Sequence, residues 1–229
     1  MSESNTPESP PAAQETAQEP AATLQGPSES PSLAAWLWTF FALLTIAGMV
    51  WLASDKSEAP HTPLRWEDIL PQDHTPLHNW QYVVIHHSGA EVGDTVGIDR
   101  YHQSKGWEGI GYHFVIGNGH PMAVGRVEWS FRWNLQRHGA HVGVGDMNKK
   151  AIGICLVGNY DLDQPLSAQY QRAVELTALL ISHIPTLSLD RVLGHGEVDG
   201  TNTHCPGNQT DMDAFRADVA RKLNQPTIP

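Results

Sequence analysis

From Leu33 to Ala53 the chain reads LAAWLWTFFALLTIAGMVWLA, without a charged side chain. Crossing a hydrocarbon core takes about 20 apolar residues at about 1.5 Å of helical rise each, so this run is predicted to form one transmembrane helix. A buried core helix is a poorer fit for an all-apolar run of this length behind a polar tail. A cleaved signal peptide fits less well too, because its apolar segment usually spans about 7–15 residues behind a basic segment, and none precedes Leu33. Cleavage near Ala53 is the alternative. Lys56 and Arg65 follow the run while the preceding tail has no Lys or Arg, a bias that by itself would put the C-terminal part in the cytoplasm.

Residues 1–32 consist mainly of Glu, Pro, Ser, Ala, Gln and Thr, with Leu24 the only large aliphatic residue after Met1. Such a segment cannot bury enough apolar surface to offset the entropy of ordering it and is expected to be disordered. Its five glutamates account for much of the net charge of −11, leaving the remainder mildly acidic. Nucleic-acid binding would require a basic stripe, so that class is excluded. Residues 54–79 read as a Pro- and His-containing tether in which Leu64, Trp66 and Ile69 are able to pack on a domain. Residues 225–229 form a short C-terminal tail.

Residues 80–224 alternate between strand and helix patterns and predict one α/β domain, a mixed central β-sheet flanked by helices. Strand-type runs occur at Tyr82–His87, at Gly109–Gly117 before the hairpin signal Asn118-Gly119, at Ala151–Val157 and, briefly, at Arg191–Gly194. The third is apolar on both faces and therefore central. Helical spacing links Tyr170, Ala173, Val174, Leu180, Ile181 and Ile184 behind Ser167 as N-cap, with Thr177 the polar exception. A second helix carries Phe215, Val219 and Leu223 behind a Thr210/Asp213 capping pair, and a weaker one lies between Ile98 and Gly106.

Most of the thirteen histidines need no function. His86 closes a strand in YVVIHHSG, His195 sits in GHGEVDG, and Cys205 follows ten residues later in TNTHCPG. Imidazole and thiolate suit Zn²⁺, whose catalytic sites use three protein ligands and leave a fourth position open. The spacing matches no short metal motif, so zinc is one reading and a set of unrelated polar residues the other. Cys155 and Cys205 are too few for a disulfide framework.

The segments VVIHHSG, GIGYHFVIGNG, HGAHVGVGDMNKKAIGICLVGNY and LGHGEVDGTNTHCPG, in this order, resemble the zinc-dependent N-acetylmuramoyl-L-alanine amidases, whose fold is shared with peptidoglycan recognition proteins and phage amidases. The resemblance covers roughly residues 80–224. It implies a hydrolase that cuts the amide between the muramic acid lactyl group and L-Ala of peptidoglycan or muropeptides, with Zn²⁺ held by His86, His195 and Cys205. It also implies that Tyr112 lies beside the metal. Thr203 occupies a position that is Lys in phage amidases and Thr in catalytic recognition proteins. Both are catalytic candidates, and His141 is placed along the substrate groove as a peptide-binding candidate. A non-catalytic peptidoglycan sensor of the same fold is the alternative.

The chain departs from the family at several places. Cys155 and Cys205 stand where cytosolic anhydro-muropeptide amidases carry Glu and Asp, which aligns this chain with the recognition-protein and phage branch and makes Cys155 a buried small hydrophobe. The link VEWSFRWNLQRH is several residues longer than usual. Its Trp129, Phe131 and Trp133 either extend one end of the groove or pack locally. GHGEVDG lacks the basic residue often found after GH. His87, next to a ligand on a strand, is expected to face the other way. Because polymeric peptidoglycan lies outside the cytoplasmic membrane, the implied substrate places residues 54–229 on the periplasmic side, a single-pass arrangement opposite to the Lys/Arg bias.

Overall fold

A computed structural model describes residues 62–225. The acidic tail, the apolar run at 33–53 and the first part of the tether lie outside the described residues. Among the described residues no helix is long and apolar enough to cross a membrane.

The elements follow in the order β1 (Tyr82–His87), α1 (Thr95–Ser104), β2 (Phe114–Ile116), β3 (Val127–Trp129), α2 (Phe131–Asn134), α3 (Met147–Lys150), β4 (Ala151–Leu156), α4 (Ser167–His183), β5 (Val192–Gly194) and α5 (Met212–Leu223). The sheet order is β3-β2-β4-β1-β5. β1 runs parallel to β4 and β5, β2 runs parallel to β4, and only β3 is antiparallel. The central place of β4 follows from its sequence, since AIGICL is buried at every position and has no solvent face to decorate.

The two faces of β1 do different work. Val83 and Ile85 join the main core with Ile152, Ile154, Leu176, Leu180, Phe215 and Val219, where α4 and α5 cover the sheet. Val84 points away, into a smaller cluster with Val142, Ala151 and Val198. His86 shares the face of Val84 and His87 that of Ile85, as strand alternation requires. Thr177 is accommodated in the α4 core stripe because its hydroxyl donates to the Ala173 carbonyl one turn back, at 2.8 Å.

Several boundaries differ from the sequence expectation. The GIGYHFVIG run yields only three strand residues, because Gly109–His113 form a loop that bonds to flanking segments: Gly111 N–H donates to His102 Nδ1 at 2.9 Å and Ser130 N–H to the His113 carbonyl at 2.9 Å. β2 and β3 are joined by residues 117–126 rather than by a two-residue turn. α5 is capped by Asp211, which accepts from Ala214 N–H, while the Thr210 hydroxyl bonds to the Pro206 carbonyl. The Asp94 side chain caps α1, which starts three residues before the expected point.

The long link supplies the edge strand β3 and the helical turn α2. Trp133 is fully buried against Phe114, at 4.7 Å between ring centroids. Packing therefore accounts for Trp133, with Trp129 and Phe131 partly buried beside it. The three apolar tether residues do pack: Leu64 and Trp66 lie against the main core and Ile69 is inside it. Trp66 stacks on His183 at 4.6 Å, and Leu64 N–H donates to Glu175 Oε1 at 3.0 Å.

His113, just before β2, is fully buried and stitches two segments to β4. Its Nδ1 accepts from Gly153 N–H at 3.0 Å, and its Nε2 faces the Arg137 carbonyl at 3.1 Å. Burial holds the His113 imidazole well below the usual histidine value, reinforced by His141, and burial lowers His141 to about 3. Both groups fold neutral but take up protons when unfolded, so their contribution is present above the unfolded value of about 6.5 and is lost as pH falls towards the folded values. The stability of the metal-free domain, and with it its melting temperature, is expected to fall as pH drops through about 6.5 towards 5, with a slope approaching about 1.4 kcal/mol per pH unit for each such group. The lowered carboxylates Asp68, Asp146 and Glu197 start from 3.8 to 4.5 and act below that window. A melting temperature flat between pH 7 and pH 5 would contradict the neutral, buried assignment.

Candidate metal centre

The parallel pairing of β1 with β4 and β5 brings their C-terminal ends to one edge of the sheet, where ligands of open α/β sheets commonly bind. His86 is the penultimate residue of β1, in register with Cys155 of β4. His195 comes directly after β5, and Cys205 lies in the loop between that point and α5. The loop is closed by Gly196 N–H donating to the Cys205 carbonyl at 2.6 Å, which holds the two later residues together.

His86, His195 and Cys205 present ligand atoms that all lie within 4.8 Å of one another. Cys205 Sγ is 3.5 Å from His86 Nδ1, and the His86 and His195 rings are 4.7 Å apart. Tetrahedral zinc with Zn–N of about 2.0–2.1 Å and Zn–S of about 2.3 Å keeps its ligand atoms roughly 3.3–3.6 Å apart. The donor set suits such an ion, and the Cys205–His86 separation of 3.5 Å matches its ligand spacing. Two nearby histidines that could in principle supply a fourth ligand bond elsewhere: His87 Nδ1 accepts from Tyr160 N–H at 3.0 Å, and exposed His204 pairs with Asn208 at 3.3 Å. Among the described residues the group stops at three ligands.

Electrostatics point the same way. Burial keeps the imidazole of His86 far below its ordinary value, with His141 and His195 adding to the effect, so it is neutral and able to act as a ligand. Burial pushes the Cys205 thiol up to about 12 against the pull of the His87 backbone. A thiol so reluctant to ionise in an apolar setting needs a cation beside it to become a thiolate, and cation binding would release its proton.

The remaining predicted residues are placed as follows. The Tyr112 ring lies 5.1 Å from that of His86, and burial holds its phenol well above the ordinary value, followed by Cys155 and Cys205, so it remains a neutral donor. The Thr203 hydroxyl accepts from Cys205 N–H at 3.1 Å, which leaves its own proton free to donate outwards. His141 is buried behind His86, with one ring nitrogen on His86 and the other on the Ala151 carbonyl. Both of its ring nitrogens are thus engaged within the protein, beside the candidate ligand His86.

Two neighbours of the cluster had no site role in the sequence reading. Cys155 is fully buried and unpaired with Cys205, as expected, but its side chain also meets that of Tyr112. His102 lies 5.6 Å from the Tyr112 ring and is held by Gly111. The pairing of His86 with Cys155 across β1 and β4 would have exposed the first had the register been known.

Known proteins are similar to this chain to differing extents. The family model of the N-acetylmuramoyl-L-alanine amidases (Amidase_2) matches residues 76–208. Peptidoglycan-recognition protein SC2 of Drosophila melanogaster is 35% identical over 143 residues, covering 58% of this chain and 72% of the relative. The endolysin of Escherichia phage T7 is 28% identical over 121 residues, covering 51% of this chain and 74% of the endolysin. Among solved structures, the N-acetylmuramoyl-L-alanine amidase LysC from Clostridium intestinale URNW superposes with a TM-score of 0.54 at 27% identity, over 64% of this chain and 91% of that one. With its sheet, its His-His-Cys cluster and a matching family model over more than half its length, the chain belongs to the N-acetylmuramoyl-L-alanine amidase (Amidase_2) family.

Proposed function

We propose that this protein is a zinc-dependent N-acetylmuramoyl-L-alanine amidase acting on peptidoglycan or its muropeptide fragments. The observation that carries the proposal is the convergence of His86, His195 and Cys205 within 4.8 Å, with no fourth protein ligand among the described residues and with Tyr112 beside them. A structural zinc site would be closed by a fourth ligand, whereas catalysis needs an open position.

The reaction adds water across one amide. A water oxygen bonds to the lactyl carbonyl carbon, the C–N bond to L-Ala breaks, and the products are a muramic acid carboxyl and a free peptide amine. When bound, zinc polarises the carbonyl and makes water nucleophilic near neutral pH. The work of this chain's own residues is to hold donors where charge develops. Tyr112, kept neutral by burial, offers its hydroxyl to the carbonyl oxygen as that oxygen becomes anionic. Thr203, whose oxygen already accepts from Cys205 N–H, is oriented to donate as well. Either can pass a proton towards the departing nitrogen.

We further propose that the apolar run at 33–53 anchors the protein in the cytoplasmic membrane as a single pass, with residues 54–229 on the periplasmic side where polymeric substrate lies. An alkaline-phosphatase fusion after Pro229 should then be active. Activity only from a cytoplasmic reporter at the same position would reverse the orientation and point to soluble muropeptides as the substrate.

Two variants measured side by side test the catalytic reading. Cys205→Ser should lose most bound zinc and, with it, cleavage of a soluble muropeptide. Tyr112→Phe should keep zinc and melting temperature while turnover falls about 10²–10³-fold with KM nearly unchanged, as expected for a donor used only in the transition state. Wild-type turnover in Tyr112→Phe would remove that role, and muropeptide binding without cleavage by the zinc-loaded wild type would identify a sensor instead.

A further inference from the structure

His141 sits between the backbone and a ligand. Its Nε2 is 3.2 Å from the Ala151 carbonyl at the start of β4, and its Nδ1 is 3.0 Å from His86 Nε2. A backbone carbonyl only accepts, and a neutral imidazole has one donor and one acceptor nitrogen. The Ala151 carbonyl therefore requires the proton of His141 on Nε2. That leaves Nδ1 of His141 as an acceptor, so the His86 proton must be on Nε2. The lone pair of His86 Nδ1 is then directed at Cys205 Sγ, 3.5 Å away.

The pocket around His141 leaves its ring little freedom. A Cβ added at Gly153 of β4 would fall 2.6 Å from His141 Cδ2, and one at Gly139 would fall 2.3 Å from the same atom. Both positions are thus glycine where the ring passes. The backbone on either side is pinned as well, since Asn148 Oδ1 accepts from His141 N–H at 2.8 Å and from Val142 N–H at 2.9 Å.

We propose that His141 is a positioning residue: it carries polarity from the Ala151 carbonyl to His86, sets the His86 tautomer, and so presents Nδ1 as the metal donor. The inference rests on the reading of His86, His195 and Cys205 as a metal centre, and it assigns His141 no contact with substrate. Partners that orient ligand histidines in this way typically change metal affinity about 10–100-fold when removed.

The test uses the full chain in detergent, metal-free and ¹⁵N-histidine labelled. Through-hydrogen-bond N–N coupling between His86 Nε2 and His141 Nδ1 should be visible, with both rings protonated on Nε2. Protonation of His141 on Nδ1 would overturn the proposal without any variant. Zinc affinity, read by competition with a chromophoric chelator, should then fall about 10–100-fold in His141→Leu, which fills the pocket without an acceptor. It should recover to within a few-fold in His141→Asn, whose carbonyl oxygen replaces the Nδ1 acceptor. Near-equal zinc affinity in wild type and a folded His141→Leu would overturn the proposal, as would a folded His141→Asn as weak as His141→Leu. If His141→Leu does not fold, the coupling spectrum and the His141→Asn affinity decide alone. A wild type that binds no zinc would overturn the metal centre and this inference together. Normal His141-dependent binding without amide cleavage would overturn only the proposed activity.

Discussion

The parallel pairing of β1 with β4 on one side and β5 on the other is the constraint on which the other features depend. Parallel strands end at the same edge, so His86 on β1, Cys155 on β4 and His195 just beyond β5 come together although they are far apart in sequence. A one-residue slip in this register would exchange His86 for His87 on the site face. The slip is resisted by the core itself, because it would also turn Val83 and Ile85 out of the packing made with α4 and α5. Hydrophobic burial on one face of β1 thus positions the candidate ligand His86 on the other.

Burying several imidazoles under one sheet face is costly unless their nitrogens are paired. His113 uses both nitrogens and His141 uses both, each joining neighbouring segments to β4. His86 uses only Nε2 in a hydrogen bond of ordinary length, and its Nδ1 faces a sulfur at 3.5 Å. With His113 and His141 both fully engaged, His86 Nδ1 is left facing the other two residues of the candidate ligand set. Burial keeps the Cys205 thiol protonated and neutral, so a cation bound there would have to displace its proton.

Much of this was legible in the residues. The YVVIHH and AIGICLV runs carry strand composition without breakers, and both strands form close to the expected limits. The three candidate ligands were picked out by motif order within the family resemblance, and their convergence is a consequence of sheet order that spacing alone does not contain. Other features depended on long-range contacts. β3 is three residues long and exists because Phe114 and Trp129 pair across it. Trp133 reads as a loop aromatic until Phe114 is placed beside it. Likewise the two hydrogen bonds of His141, to His86 and to the Ala151 carbonyl, join segments whose meeting the sequence does not contain.

The central claim is that these groups together hydrolyse one defined amide. Digesting purified sacculi with zinc-loaded protein and weighing the soluble fragments by mass spectrometry tests it most directly. The account predicts free stem peptides with an L-Ala amino terminus and glycan strands of unchanged length. Shortened glycans, peptides cut internally, or no release by protein shown to hold zinc would contradict it.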